Sequence, residues 1–200
     1  MAKVLAQQAI ANELLSGRAA LLPTDTLPAL AALPQHATQL WKLKHRSVDK
    51  PLILMAATAR ELFLHMQPQV HNDVEVLARL YWPGALTLVL PAQGLEVNLL
   101  HPGASTLGMR VPACAPMQQL LKCIGPLATT SANLSGDSPS LNEKQASSCF
   151  PDLSLLAPLP WLSLSGSAST VLAWSSPGCW HLLRRGPIIP KLAGILSCSG

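Results

Sequence analysis

Charged residues are scarce in this chain, and acidic ones are the scarcest. Charged residues make up 12% of the 200 residues and only ten are Asp or Glu, whereas 49% are hydrophobic. So few acids argue against a mechanism that needs a pair of carboxylates. The length and the hydrophobic content are enough to bury the core of one domain. The excess of Lys and Arg, a formal net charge of +4, suits an anionic partner such as a nucleotide or an RNA phosphate.

The five cysteines follow no disulfide or metal pattern. They are odd in number and widely spaced, and no two form a Cys-x-x-Cys pair. This spacing argues against a disulfide framework and against a zinc knuckle. No histidine stands at metal-ligand spacing from another ligand residue, so the sequence predicts no protein-bound metal.

Long apolar runs are also missing. No stretch approaches the ~20 apolar residues that span a bilayer, and the N-terminus mixes Lys3, Gln7 and Glu13 among its apolar residues. We therefore expect a soluble, cytoplasmic protein with no membrane partner.

Three common active-site signatures do not occur. The chain has no Gly-x-x-x-x-Gly-Lys-Ser/Thr loop and no Gly-x-Gly-x-x-Gly, the two devices that cradle phosphates on backbone amides. It also has no Gly-x-Ser-x-Gly elbow, which argues against a serine hydrolase. If the chain binds ATP, side chains rather than backbone amides must make most of the contacts with its phosphates.

The hydrophobic periodicity predicts helices interleaved with many short strands. We predict helices over residues 4–15, 37–44, 58–65, 69–81 and 116–124, and strands over 19–22, 52–55, 86–90, 106–111 and 127–130, with further short runs at 161–164, 170–173 and 181–184. Thr58 and Glu61 have the spacing of a capping box. Such a pattern predicts an α/β fold, a single domain with a twisted, mixed parallel and antiparallel sheet and flanking helices. We place this domain at residues 1–190, followed by a short C-terminal tail at 191–200.

Polar segments follow three of the predicted elements. They are Pro23-Thr24-Asp25-Thr26 after a strand, the cation-rich loop 44–51 after a helix, and the segment 131–136 after another strand. Ligands bind where strands end in open α/β sheets, so these are the candidate site segments. Two ordinary interpretations stay open, because loop 44–51 could be a solvated basic loop and segment 131–136 could be turn chemistry.

The order of these segments resembles the YrdC-like threonylcarbamoyl-adenylate synthase family along most of the chain. The matching motifs are Pro23-Thr24-Asp25-Thr26-Leu27-Pro28-Ala29-Leu30, Lys44-His45-Arg46-Ser47-Val48-Asp49-Lys50-Pro51-Leu52, Trp82-Pro83-Gly84-Ala85-Leu86-Thr87-Leu88-Val89-Leu90, Leu107-Gly108-Met109-Arg110-Val111-Pro112, Gly125-Pro126-Leu127-Ala128-Thr129-Thr130-Ser131-Ala132-Asn133-Leu134-Ser135-Gly136, Ser169-Thr170-Val171 and Leu183-Arg184-Arg185-Gly186. A collinear series is far more specific than any single motif.

The resemblance implies a fold, an activity and a set of partners. The fold is a YrdC-like twisted mixed sheet with a basic concave face. The activity is the formation of threonylcarbamoyl-AMP and pyrophosphate from L-threonine, bicarbonate and ATP, with Mg²⁺ on the triphosphate, for the modification of tRNA position 37. The implied partners also include tRNA or double-stranded RNA and the downstream tRNA threonylcarbamoyl-transfer proteins.

The resemblance also implies roles for individual residues. Lys44 and Arg46 match the family's Lys-x-Arg element and would be catalytic, and Ser131 and Asn133 match its Ser-x-Asn element. The residues that would face the nucleotide are Arg46, Lys50, Thr106, Ser131, Asn133, Ser140 and Arg184. Those that would surround threonine are Thr26, Arg110, Thr129 and Ser169, and Arg110 would hold the carboxylate because a guanidinium can bind both of its oxygens.

Several positions depart from the family pattern. Pro28 and Ala29 stand where the family has Tyr-Gly, Met55 falls where some relatives have a threonine-contacting histidine, and His45 replaces a glycine. A histidine restricts the backbone there if a positive φ is needed. Two alternatives to the synthase remain: a YrdC-like paralogue that binds RNA without the reaction, and a carbamoyl- or adenylyl-transfer enzyme acting on another small amine or carboxylic acid.

Overall fold

A ten-stranded sheet forms the centre of the computed structural model, which describes residues 2–162 and 165–190. The strands are β1 (Val4–Leu5), β2 (Ala20–Leu22), β3 (Ala29–Ala32), β4 (Ile53–Met55), β5 (Leu86–Pro91), β6 (Thr106–Arg110), β7 (Leu127–Ser131), β8 (Ser154–Leu156), β9 (Thr170–Ser176) and β10 (Cys179–Arg184). The helices are α1 (Gln7–Leu15), α2 (Thr38–Leu43), α3 (Ala59–Phe63), α4 (His71–Tyr81), α5 (Leu95–Leu100), α6 (Ala115–Ile124) and α7 (Glu143–Cys149). Two short 3-10 helices, Pro34–His36 and Pro68–Val70, precede α2 and α4.

The strand order confirms the predicted mixed sheet. It runs β1-β8-β2-β3-β7-β4-β6-β5-β9-β10. The pairs β1–β8, β8–β2, β4–β6 and β5–β9 are parallel, and the others are antiparallel. Among the described residues, no helix combines the length and apolar character needed to cross a membrane.

Both faces of the sheet carry core residues, because successive side chains of a strand point to opposite faces. In β2, Leu21 belongs to the larger core cluster, with residues of α2, α4 and α5, whereas Ala20 and Leu22 belong to a second cluster with residues of α1 and α6. Helices α1 and α6 thus cover one end of a single sheet face. The other end of that face carries the candidate site.

The predicted helix over residues 4–15 starts later than the periodicity suggests. Val4 and Leu5 form β1 instead, paired in parallel with β8, and α1 begins at Gln7. The backbone N–H groups of Leu155 and Ala157 donate to the carbonyls of Lys3 and Leu5 at 2.7 and 2.8 Å. Pairing with a strand 151 residues further along the chain therefore overrides the helical spacing. Local periodicity cannot reveal such a partner.

Other predictions hold with smaller changes. The capping box is confirmed, since the Thr58 N–H donates to Glu61 Oε2 at 2.8 Å and the Glu61 N–H donates to Thr58 Oγ1 at 3.3 Å. Its helix α3 ends at Phe63 rather than residue 65. Trp161 and Leu162 belong to no strand, and residues 163 and 164 of that predicted run lie outside the described residues, as does the predicted tail 191–200.

Candidate active site

A cavity of about 190 Å³ lies on the sheet face that α1 and α6 leave uncovered. Its lining residues come from β3, β4, β6, β7 and β10, from the loop between α2 and β4, and from the segments after β2, after β7 and before β9. They are Thr24, Thr26, Leu27, Pro28, Ala29, Arg46, Pro51, Ile53, Met55, Arg110, Thr129, Thr130, Ser131, Pro139, Ala168, Ser169 and Arg184. Seven residues of the sequence-based site prediction are in this set: Thr26, Arg46, Arg110, Thr129, Ser131, Ser169 and Arg184.

Arg110 is the most deeply buried cation of the wall. Its Nη2 donates to Asp25 Oδ1 at 2.7 Å, its Nη1 to Thr26 Oγ1 at 2.8 Å, and its Nε to the carbonyl of Gly84 at 2.9 Å. Burial lowers the pKa of Arg110, and the neighbouring Asp25 carboxylate opposes that shift. The guanidinium is therefore held in one orientation before any ligand arrives.

Thr26 and Thr24 extend this network along the loop after β2. Thr24 Oγ1 donates to the carbonyl of Leu27 at 2.6 Å and accepts from the Thr26 N–H at 3.1 Å, and the two threonine hydroxyls lie 3.0 Å apart. All of these groups are buried. The Pro23–Thr26 segment is thus a rigid loop that carries a hydroxyl and a carboxylate to the Arg110 side chain.

Arg46 has a buried nitrogen without a partner. Its Nη2 donates to the carbonyl of Pro51 at 3.2 Å, whereas its Nε is buried and makes no hydrogen bond with any residue that the structure describes. Burial lowers the pKa of Arg46, and the exposed Asp49 opposes the shift. An orphaned donor on a charged group costs free energy in a folded protein, and an anion entering the cavity would satisfy it.

Lys44 lies beneath the cavity and does not line it. It is 1% exposed, and its Nζ donates to the carbonyl of Ser131 at 2.5 Å, to the carbonyl of Asn133, and to Asn133 Oδ1 at 3.3 Å. These contacts use the three donors of the ammonium group. Burial, and next the charge of Arg46, lower its pKa to about 8. Through these bonds Lys44 holds the loop after α2 against the end of β7. Its catalytic role stays a prediction.

Asn133 is likewise used inside the protein. Its Nδ2 donates to the carbonyls of Leu134 and Asp137 at 2.9 Å each, and its Oδ1 accepts from Ser131 Oγ at 2.6 Å. The structure therefore brings Lys44, Ser131 and Asn133 together, as the sequence suggested. Only Ser131 of the three reaches the cavity wall.

Ser169 and Arg184 form the opposite wall. Arg184 Nε donates to the carbonyl of Ser169 at 2.9 Å and its Nη2 donates to Ser169 Oγ at 3.2 Å. Partial burial, and next the nearby charge of Arg110, lower the pKa of Arg184. The two guanidinium groups repel each other, and Asp25, which pairs with Arg110, reduces that repulsion.

The remaining predicted residues lie outside the cavity wall. Ser140 is buried and donates to the carbonyl of Ala132 at 2.5 Å, and Lys50 is exposed. Thr106 contacts His101 at the start of β6, on the same sheet face as Arg110 by strand alternation. Thr129, which does line the cavity, donates to the carbonyl of Ile53 at 3.1 Å.

Sequence reasoning missed two polar residues of the Arg110 network. Asp25 and Thr24 belong to the tetrapeptide that was identified as a candidate segment, yet neither was assigned a role. The sequence offered one signal. Asp25 stands between two threonines directly after a buried strand, in a chain with only ten acidic residues, and a buried carboxylate requires a partner.

The cavity wall is strongly cationic. Arg46, Arg110 and Arg184 line it, and no Asp or Glu does, among the residues that the structure describes. Across the same residues no group of three or more His, Cys, Asp or Glu is placed to hold a metal ion. Three guanidinium groups, several hydroxyls and an apolar wall of Leu27, Ile53 and Met55 form a site suited to a small anionic ligand.

This α/β architecture agrees with the comparisons with known proteins. A family model described as telomere recombination, for the Sua5, YciO and YrdC proteins, matches residues 12–186. The threonylcarbamoyl-AMP synthase of Homo sapiens is 33% identical over 201 residues, which cover 96% of this chain and 71% of the human protein. That of Pyrococcus abyssi is 33% identical over 124 residues, 60% of this chain and 36% of the archaeal one. The chain belongs to the Sua5/YciO/YrdC family.

Solved structures show the same fold. A doubly substituted P. abyssi Sua5 superposes with a TM-score of 0.86 at 25% identity, over 94% of this chain and 61% of that chain. P. abyssi Sua5 complexed with L-threonine superposes with a TM-score of 0.83 at 24% identity, over 93% and 57%. E. coli YciO gives 0.78 at 19% identity, over 96% and 99%. This chain thus spans less than two thirds of the Sua5 chains.

Proposed function

We propose that this chain is an L-threonylcarbamoyladenylate synthase, a nucleotidyltransferase that forms threonylcarbamoyl-AMP and pyrophosphate from L-threonine, bicarbonate and ATP. The observation that carries the proposal is the cavity wall with three arginines and no carboxylate. Family membership and the curated synthases that resemble the whole chain support it.

The chemistry explains the need for such a wall. The threonine amine takes up bicarbonate as a carbamate, and the new carboxylate then attacks the α-phosphorus of ATP, with pyrophosphate as the leaving group. Anions must be brought together while negative charge builds on the phosphate, and fixed cations stabilise that charge without reorganising. No covalent enzyme intermediate is required.

The geometry supports a division of the cavity. Thr26, Arg110, Thr129 and Ser169 surround the threonine, with Arg110 turned toward its carboxylate by Asp25 and Gly84. Arg46, Ser131 and Arg184 face the phosphates. Lys44, Asn133 and Ser140 hold the loops that carry these groups. Lys50 and Thr106 extend the nucleotide contacts beyond the cavity along the concave face.

Mg²⁺ enters with the triphosphate in this proposal. The described cavity wall offers it hydroxyl groups and no carboxylate, so the phosphate oxygens themselves must supply most of its ligands. Mg²⁺ would neutralise charge on the pyrophosphate leaving group.

The proposed setting is tRNA modification in the cytoplasm. The labile product passes to the proteins that transfer threonylcarbamoyl to tRNA position 37, and the basic concave face is the surface where tRNA would lie. The cations of that face and the net charge of +4 support contact with a polyanion.

A pyrophosphate-release assay tests the proposal. Purified protein should release pyrophosphate from ATP and Mg²⁺ only when threonine and bicarbonate are both present, and omission of either should abolish release. Release with another amino acid in place of threonine would point to a related transfer enzyme. RNA binding without any release would favour the paralogue that lacks the reaction.

A further inference from the structure

Thr87 is a buried polar residue behind the cavity. It lies in β5, is 1% exposed, and pairs with Val171 of β9. Its methyl group faces Gly108 of β6, with Cγ2 3.8 Å from where a Cβ would stand on that glycine. Its hydroxyl points the other way, toward the segment before β9. The Thr87 side chain therefore makes one apolar contact through its methyl group and one polar contact through its hydroxyl.

The polar contact of Thr87 is the Ser169 hydroxyl. The two oxygens are 2.8 Å apart, and among the described residues no other hydrogen-bond partner of the Thr87 hydroxyl is found. A buried hydroxyl is almost always satisfied, and this one can satisfy its proton only by donating it to Ser169.

The hydrogen bonds of the Ser169 hydroxyl determine where it accepts and where it donates. Ser169 Oγ accepts from Thr87 and also accepts from Arg184 Nη2 at 3.2 Å. A serine hydroxyl has two acceptor sites and one proton to donate, so both acceptor sites are used. Ser169 lines the cavity, and its remaining proton can only be donated into it.

We propose that Thr87 is a positioning residue that makes Ser169 an obligatory hydrogen-bond donor to the amino-acid substrate. The inference rests on the proposed function and adds to it. The substrate atom that meets Ser169 must be an acceptor, which the threonine ammonium is not. Of the acceptors that the substrate offers, a carboxylate oxygen, of threonine itself or of the carbamate formed on its nitrogen, binds a donor more strongly than the neutral side-chain hydroxyl does, and we assign Ser169 to it.

Two substitutions of Thr87 separate positioning from packing. Thr87→Val keeps the shape and removes the hydroxyl, whereas Thr87→Ser keeps the hydroxyl and removes the methyl group. We expect Thr87→Val to raise the KM for threonine about three- to tenfold, as for the loss of one hydrogen bond, with the KM for ATP nearly unchanged. Thr87→Ser should restore the wild-type KM for threonine.

A double substitution tests whether Thr87 acts through Ser169. If it does, Thr87→Val should add nothing to the KM for threonine in a Ser169→Ala background. Threonine titration with a non-hydrolysable ATP analogue, with and without bicarbonate, distinguishes the two oxygens. An effect of Thr87→Val without bicarbonate assigns Ser169 to the threonine carboxylate, and an effect only with bicarbonate assigns it to the carbamate.

Several outcomes would overturn the inference. A wild-type KM for threonine in Thr87→Val, an equal rise in both KM values, or a Thr87→Ser variant as impaired as Thr87→Val would each do so. Should Thr87→Val not fold, Ser169→Ala decides, because an unchanged KM for threonine in that variant contradicts the donor role. A wild-type protein without threonine-dependent pyrophosphate release overturns the proposed function as well, whereas the outcomes above leave that function standing.

Discussion

Arg110 and Asp25 form a buried ion pair, with Arg110 Nη2 2.7 Å from Asp25 Oδ1 and side chains that are 3% and 6% exposed. The Ala113 N–H donates to the same carboxylate oxygen at 2.9 Å. The cation proposed to bind the threonine carboxylate is therefore also part of the folded core. Substitutions of Arg110 should therefore affect stability and the proposed binding together.

The first prediction concerns that pair and the free energy of unfolding. Arg110→Ala leaves Asp25 charged, buried and unpaired, which should lower the free energy of unfolding by about 3–5 kcal/mol. Asp25→Asn should also destabilise the fold, and the double variant Asp25→Asn/Arg110→Ala should lose less than the sum of the single losses. Urea titrations of the four proteins measure this coupling. Simple additivity would show that the pair contributes no specific interaction.

The second prediction concerns the altered wall of the threonine pocket. Pro28, Ala29 and Met55 line the cavity, so they change its shape and leave the Arg110 clamp in place. A clamp on a buried carboxylate is worth roughly 2–5 kcal/mol and a methylene on an apolar wall about 1–3 kcal/mol. We expect threonine to remain the preferred amino acid, with weakened affinity and looser rejection of serine.

Calorimetric titration with an ATP analogue measures this prediction. Arg110→Lys keeps a positive charge beside Asp25 but removes the guanidinium that can bind both oxygens of a carboxylate. This substitution should cost more affinity for threonine than Pro28→Tyr/Ala29→Gly gains. Threonine binding that is undetectable, or indifferent to Arg110→Lys, would argue for the paralogue without the reaction.

The third prediction concerns Arg46 and turnover. Arg46→Ala should lower kcat for pyrophosphate release by about 10²-fold or more, because a cation that stabilises developing charge is lost. The melting temperature should be unchanged or slightly higher, since the substitution also removes a buried, unpaired Nε. Lys42→Ala, an exposed cation of α2 with the same change in net charge, is the matched control. Equal activity losses in both variants would contradict a specific role for Arg46.

The fourth prediction concerns Lys44 and pH. Burial, and next the charge of Arg46, lower its pKa from 10.5 to about 8 in the folded protein. Between about pH 8 and pH 10.5 the unfolded chain therefore holds a proton that the folded chain has released. Below about pH 8 the protonated, buried Lys44 lowers the free energy of unfolding by its full desolvation cost. The free energy of unfolding therefore rises with pH between about pH 8 and pH 10.5.

Urea titrations of the wild type and Lys44→Met from pH 7 to pH 10.5 isolate this effect. The difference in free energy of unfolding, wild type minus variant, should grow as the pH rises through about 8. Other lysines titrate in both proteins and cancel in the difference. A difference that is flat, or that falls with pH, would show that the carbonyls around Nζ keep Lys44 protonated.

Local signals predicted the parts of the fold that depend on neighbours in sequence. The Thr58–Glu61 capping box and helix α6 follow from spacing alone. His45 shows a sharper case: it has the only positive φ among the described residues other than glycine, 49°, where the family pattern has glycine. The glycine of the family pattern indicated this backbone requirement in the sequence. In the structure this position lies between Lys44, which bonds to the Ser131 carbonyl, and Arg46, which lines the cavity.

What sequence could not supply is the partner of each polar group. Strand β8 is three residues long and pairs in parallel with β1 and β2, so nothing near it in sequence marks it as a strand. The residue type of Lys44 suits phosphate binding, and only the fold shows that its donors are used by Ser131 and Asn133. Asp25 lacked a role for the same reason, because Arg110 lies 85 residues away.

The strand order has a consequence for how the protein acquires activity. Chain order and sheet order differ: Thr26 follows the second strand, Arg110 ends the sixth, and Arg184 ends the tenth. No N-terminal fragment that stops before residue 184 carries all three arginines of the cavity. A fragment that lacks β10 therefore lacks part of the cavity that we propose binds the substrates. Substrate binding should then protect amides across the whole sheet from hydrogen exchange, from the first strands to the last.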